Sequence, residues 1–226
     1  MYQWDWNWVW TYRWALLEAA GVTLWLNLVI LVIGSAVGLV VAFGRGSRRA
    51  ALWVPALIYI DLFRTLPVLV LLVWFFFCVP ILLGGIQISS TVSAIIVLSL
   101  NLSAFVAEIV RAGIEAVPTA QVESARACGL SETQTMRFVV LPIAMRAMTP
   151  PLVGQYINTI KLSVLASVIA VPELLHKTTD IISQVYRPLE FYTVLALLFL
   201  VILLPGTIWS RRLEARAHII RLGEEA

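Results

Sequence analysis

The sequence predicts an all-α integral membrane protein with five transmembrane helices, its N-terminus outside and its C-terminus in the cytoplasm. Three observations carry that expectation. Of 226 residues, 61% are hydrophobic and 13% charged, against roughly a quarter charged in an ordinary soluble domain. Charge-free runs recur at lengths suited to a hydrocarbon core that needs about 20 apolar residues per helix. Basic residues also gather at alternate span ends. With the 45–49 loop in the cytoplasm, that side receives Arg45, Arg48, Arg49, Arg111, Arg126, Arg137, Arg146, Arg211, Arg212, Arg216 and Arg221, eleven of sixteen Lys and Arg. The positive-inside bias asks for this asymmetry.

The chain opens MYQWDWNWVWTYRW, where Trp4, Trp6, Trp8, Trp10 and Trp14 crowd the approach to the first span. Indole rings favour the headgroup layer, so the cluster reads as an interfacial anchor in preference to a ligand-binding aromatic box. The stretch has no basic n-region and no small-residue cleavage site, so the first span is expected to insert uncleaved. That span lies near 15–44, with no charge from 19 to 44. Its Gly34 and Gly38 have the small-xxx-small spacing that lets helices pack closely. A second span near 53–79 carries Asp61 and Arg64. The run from 65 to 107 has no charge and is too long for one crossing; Pro80 and Gly84-Gly85 divide it and leave a third span near 91–114. A polar run over 119–142 follows. The fourth span, near 150–171, is expected to be broken at Lys161. A mildly amphipathic extracytoplasmic segment covers 172–190, and a fifth span lies near 191–210. Residues 1–226 thus form a single transmembrane domain.

Several classes of function fall away. Two cysteines, Cys78 and Cys128, form no disulfide framework and are expected on opposite sides of the membrane. His176 and His218 stand alone, so no metal site and no cofactor is expected. The basic residues sit at span ends and make no aromatic-interleaved patch, so no nucleic acid is a partner. The serines have no histidine partner at depth, which argues against an intramembrane enzyme. No GxxxxGK[ST] loop occurs, so this chain does not hold ATP in that manner.

Ionisable groups at membrane depth cost roughly 3 kcal/mol or more and so ask for a purpose. Asp61 and Arg64, three residues apart, either pair on one helix face or leave Arg64 lining a path near a mobile break at Pro67. Glu108 and Arg111 repeat that spacing; Glu108 either receives a ligand ammonium or pins a neighbouring helix. Lys161 lies ten residues beyond Pro151, with Gln155, Asn158, Thr159 and Ser163 around it. It either neutralises a ligand carboxylate or caps a broken helix, since broken spans expose backbone groups where transporters hold polar solutes. The candidate path residues are therefore Arg64, Glu108, Gln155, Asn158, Lys161 and Ser163.

The polar run TAQVESARACGLSETQTMRFVVLP has a small-residue face, a helix-stopping Gly129 and a second helix start at Ser131. Such a helix–Gly–helix unit suits docking by another protein. The order Glu123-Ser124-Ala125, three residues, Gly129, nine residues, Val139-x-Leu141-Pro142 closely resembles the coupling loop of ATP-binding-cassette importer permeases, with Ser124 in place of Ala and Val139 in place of Ile. Phe63-Arg64-Thr65-Leu66-Pro67, the Ala107–Gly113 stretch (AEIVRAG) and Pro150-Pro151-Leu152 with the later Leu165-Ala166-Ser167-Val168-Ile169 resemble segments of the polar amino-acid branch.

The resemblance implies the type I importer permease fold in the bacterial inner membrane. It implies a second permease subunit, identical or homologous, two cytoplasmic ATP-binding-cassette ATPases and an extracytoplasmic solute-binding protein. It also implies ATPase coupling through Glu123, Ser124, Ala125, Arg126, Gly129 and Leu130. The substrate would be a polar amino acid. One departure matters: Leu162-Ser163-Val164 stands where the branch has Asp-Thr-Ser, so a carboxylate is missing. Either this is the weaker-binding half of a heteromeric pair, or the cavity suits an altered amino acid such as an opine. A secondary carrier or channel for small polar solutes, working without an ATPase, is the alternative; it would need no docking loop.

Overall fold

The computed structural model describes residues 2–47 and 49–224, with side chains through residue 213. Arg48 and the side chains of Arg216, His218 and Arg221 lie outside the described residues. Among the described residues every regular element is helical: α1 (Asn7–Arg45), α2 (Ala50–Thr65), α3 (Val68–Leu82), α4 (Ser90–Glu115), α5 (Thr119–Ala127), α6 (Glu132–Thr135), α7 (Leu141–Leu162), α8 (Leu174–Val185) and α9 (Pro188–Glu224). A π-helical turn over Met136–Val140 joins α6 to α7, and a 3-10 segment over Ser163–Ile169 follows α7. Four helical stretches are long and apolar enough to cross a membrane, and the bent pair α2–α3 makes a fifth when counted as one span.

The bundle is built around α4, which packs against α1, α7, α2 and α3. Its buried face carries Ser93, Ala94, Ser99, Ser103, Ala104 and Ala107, small side chains that admit close neighbours where lipid supplies no hydrophobic drive. Gly34 and Gly38 of α1 complete that contact. A Cβ on Gly34 would lie 2.8 Å from Leu102 Cδ2, and one on Gly38 would lie 2.6 Å from Val106 Cβ and 2.8 Å from the Ser103 carbonyl. Gly113 does the same between α4 and α7, where a Cβ would lie 2.9 Å from Met148 Cβ. Leu26, Ile30, Leu72, Val97, Leu98 and Leu102 form the centre of the core.

Two stretches differ from the expected spans. The 53–79 region does not run straight: α2 and α3 meet at an angle of 105°. Leu66, held extended at φ −75°, ψ 135°, is the residue before a proline, where helical backbone is disfavoured, and Pro67 has no N–H to continue the ladder. The 150–171 region, in contrast, stays α-helical through Pro150, Pro151 and Lys161. It tightens to 3-10 only from Ser163 and stops at Ala170, whose φ is +57°.

Helix α1 is about 58 Å long at roughly 1.5 Å per residue, more than a bilayer core spans, so its first turns extend past the core. There Trp10 and Trp14 are 70% and 68% exposed, with the Arg13 guanidinium 4.3 and 5.5 Å from their ring centres. The preceding residues are tied to the start of α9. Glu190 accepts hydrogen bonds from the Tyr2 hydroxyl and the Asp5 amide, and Arg187 donates to the Gln3 carbonyl.

Lower on α1, Thr23 and Asn27 hold the elements that follow α7. Asn27 Nδ2 donates to Ser163 Oγ at 2.9 Å, and Thr23 Oγ1 accepts from the Leu174 amide at 3.0 Å. Glu173, which is buried, caps α8 by accepting from the Leu175 and His176 amides at 3.0 and 2.8 Å. Burial pushes its carboxyl above the usual carboxylate range.

Candidate functional site

The polar run folds as a bent pair of short helices. Helix α5 is closed by a Schellman turn: the Gly129 amide donates to the Arg126 carbonyl at 2.9 Å, and the Leu130 amide to Ala125 at 3.2 Å. Gly129 sits at φ +87°, a conformation open to glycine at little cost. Ser131 then caps α6 reciprocally with Gln134: its Oγ accepts from the Gln134 amide at 3.3 Å, and its own amide donates to Gln134 Oε1 at 2.9 Å. Beside α5 lies a groove of about 490 Å³. It is lined on the α5 side by Ala120, Gln121, Ser124, Ala125 and Cys128, and on the other by Leu130 and Val139. Of the residues expected to couple, Ser124, Ala125 and Leu130 line the groove and Gly129 sets its bend. Arg126 reaches Glu132 at 3.4 Å across the turn, and Glu123 is exposed.

A second cluster joins α2 to α4. The i,i+3 pair Asp61–Arg64 is not formed; Asp61 is exposed and has no ion pair among the described residues. Arg64 points instead to Glu108, Nη1 to Oε1 3.9 Å, and lies 5.5 Å from the Phe105 ring centre. Packing of α2 on α4 offers a carboxylate across the helix interface, which the sequence alone does not display. Glu108 also accepts from Arg111 Nη2 at 2.6 Å and Nε at 3.1 Å, and Arg111 pairs further with Glu115. The result is a ladder of alternating charge, partly open to solvent.

The path residues on α7 divide. Asn158 and Lys161 are exposed and three residues apart, so they share a face. Gln155 is half-buried, and its Nε2 is enclosed without a hydrogen-bond partner. Ser163 is buried: its Oγ donates to the Ile160 carbonyl at 2.8 Å and accepts from Asn27, so it lies off the face that Asn158 and Lys161 present. Glu108 pairs with Arg64 and Arg111 and not with Lys161.

Tyr59, Asn101, Thr23 and Asn27 escaped the sequence reading. The Tyr59 hydroxyl donates to the Leu100 carbonyl at 3.0 Å and lies 2.5 Å from Ser103 Oγ, while Asn101 Nδ2 donates to the Phe63 carbonyl at 2.7 Å. A signal existed: an amide side chain inside an apolar span must find a partner there.

A bundle of apolar helices with a small-residue groove on a bent polar loop defines a class, a multi-span membrane protein. Residues 34–219 match the family model described as "Binding-protein-dependent transport system inner membrane component". The chain belongs to that family and is a permease component of the inner membrane. Its relatives include the glutamine transport system permease protein GlnP of Escherichia coli strain K12, 34% identical over 208 residues, with 91% of this chain and 94% of that protein covered. The probable amino-acid ABC transporter permease protein YckA of Bacillus subtilis strain 168 is 36% identical over 205 residues, covering 90% of each. Among solved structures, a chain of an amino acid ABC transporter crystallised with histidines aligns with TM-score 0.88 and 30% identity, over 95% of this chain and all of that one. The MetNI methionine ABC transporter aligns with TM-score 0.74 at 20% identity, over 92% of this chain and 98% of that one, and shares the fold.

Proposed function

We propose that this chain is the membrane-spanning subunit of an ATP-driven importer that takes up a polar amino acid, or a derivative such as an opine, delivered by an extracytoplasmic solute-binding protein. The observation that supports this reading best is the groove between α5 and Leu130, held open by the Schellman turn at Gly129. In this reading a second permease subunit completes the path, and two cytoplasmic ATPases each seat a surface element in one such groove. The N-terminus lies outside and the C-terminus inside, following the arginine distribution. Nucleotide-driven closure of the ATPases pushes the coupling helices, the paired spans rock from inward-open to outward-open, and the docked binding protein releases its solute. Arg64, Glu108, Gln155, Asn158 and Lys161 supply polar contacts along the path, with Ser163 behind them bracing the helix. The presence of GlnP and YckA among the relatives supports an amino acid as substrate.

The test is reconstitution of this chain with its permease and ATPase partners in liposomes carrying lumenal ATP. Uptake of a labelled amino acid that needs the binding protein, ATP and an intact ATPase is the expected result. Uptake that persists when the ATPase is omitted or inactivated makes the chain a secondary carrier and overturns the reading.

A further inference from the structure

The bend between α2 and α3 interrupts the backbone ladder at the end of α2, and the Phe63 carbonyl is among the groups it frees. In a continuous helix the amide of residue 67 would donate to the carbonyl of residue 63; here that position is Pro67, which has no N–H. In a bilayer core an unpaired carbonyl is costly, because no water is present to satisfy it. The Phe63 carbonyl is nevertheless bonded, and the donor comes from another helix: Asn101 Nδ2 on α4, at 2.7 Å. Asn101 is 3% exposed. One turn earlier on the same face of α2, the Tyr59 hydroxyl reaches Leu100 and Ser103 on the same turn of α4. The last turn of α2 is therefore fastened to α4 at two points. Arg64 follows directly on the bonded carbonyl and faces Glu108, about two α4 turns beyond Asn101.

We propose that Asn101 is a positioning residue: it replaces the hydrogen bond that Pro67 deletes, stabilises the 105° bend, and thereby holds Arg64 against Glu108. The bend and the pin form one unit. Loss of the pin frees the end of α2 to swing, and a backbone N–H restored at residue 67 makes the pin redundant by letting residue 66, extended here, turn helical so that the ladder closes on Phe63. This rests on the importer reading only where uptake is measured; the pin itself is tested without it.

The experiment is a cycle of Asn101→Leu, Pro67→Ala and the double variant in the full chain, assembled with its partners in nanodiscs for the distance and unfolding measurements and in ATP-loaded liposomes for uptake. Spin labels at the exposed positions 58 and 70 report the α2–α3 bend by pulsed electron resonance, and uptake and thermal unfolding are followed alongside. Asn101→Leu is expected to broaden the label distances and lower uptake about tenfold, as befits loss of a buried hydrogen bond. In the Pro67→Ala background, where the restored backbone amide can donate to the Phe63 carbonyl, the same change should alter uptake and unfolding less than about twofold. Asn101→Gln, which keeps the donor, should recover part of the loss. Equal losses from Asn101→Leu in both backgrounds overturn the proposal. So does a coupled effect on unfolding with label distances and uptake unchanged, since that is a brace with no positioning role. If no variant, wild type included, shows ATP-dependent uptake while the label distances respond as described, the pin stands and the importer reading fails.

Discussion

Replacing Gly129 with valine tests the docking groove most directly. An added Cβ at Gly129 meets no heavy atom within 4 Å, so the penalty is purely one of backbone conformation. Holding an L-residue in the left-handed region costs about 1–2 kcal/mol, and a β-branched side chain belongs at the upper end. At about 1.4 kcal/mol per tenfold, the bent conformer is depleted roughly 5- to 30-fold. The bonds from Gly129 and Leu130 back to Arg126 and Ala125 go with it. The ATPase then binds more weakly by up to the same factor, because only the bent form presents the groove. Titration of the purified ATPase against the nanodisc-embedded permease measures that factor, with ATP-dependent uptake as the second readout. Gly129→Asn is the control, since asparagine enters the left-handed region readily and should keep most of the affinity. Wild-type binding by Gly129→Val, or an equal defect in Gly129→Asn, refutes the argument that the turn shapes the dock.

Other outcomes follow from features described above. Gly38→Leu should lower the unfolding midpoint and yield, by about 1–3 kcal/mol of overpacking, because the Ser103 carbonyl 2.8 Å from its Cβ is backbone and cannot rotate away; Gly21→Ala, with nothing within 4 Å, should be neutral. Glu108→Gln should change the unfolding midpoint little, since partly exposed ion pairs are worth about 1 kcal/mol or less, yet reduce uptake severalfold if the charge ladder lines the path. Lys161→Ala should raise the substrate concentration needed for half-maximal uptake while ATPase binding holds; unchanged uptake in both variants would make this subunit a scaffold for a ligand-holding partner. Glu173 gives a pH signature. Its folded-state pKa is raised by burial, so its stability contribution is greatest below the unfolded carboxylate pKa and is lost as pH rises through the folded value. The thermal unfolding midpoint should therefore fall between acidic and neutral pH, and Glu173→Gln should flatten that slope; an identical slope in the variant refutes the assignment.

How much of this was legible in advance depends on the range of the interaction. The shape of the 119–142 loop was readable because its structure is local: Gly129 and the Ser131–Gln134 spacing fix a Schellman turn and a capping box within a few residues. Gly34 and Gly38 announced a close helix contact, though not that α4 would be the partner. The charge pairs were harder. Glu108 and Arg111 share a helix and met as their spacing suggests, whereas Arg64 took its carboxylate from α4 and left Asp61 alone, a choice made by packing between elements some forty residues apart. The bend at Pro67 falls where the sequence places a break, while its 105° angle comes from the proline and the extended residue before it acting together. Two prolines in α7 had the opposite outcome, and the helix there carried on to Leu162. Asn27 and Asn101 bear no charge, and their place in apolar spans signals only that each amide needs a partner, not which distant element supplies it.

The bonds from Thr23 and Asn27 to Leu174 and Ser163 also bear on biogenesis. Helix α1 carries polar side chains whose distant partners are synthesised some 140 residues later, and until then Thr23 and Asn27 lean only on the Ala19 and Thr23 carbonyls of their own helix. A nascent chain interrupted after the third span lacks the Leu174 donor to Thr23 and the Ser163 acceptor for Asn27, which leaves part of their hydrogen-bonding capacity open inside hydrocarbon. Quality-control proteases that survey the bilayer would find a half-made subunit marked by its own unfinished first helix.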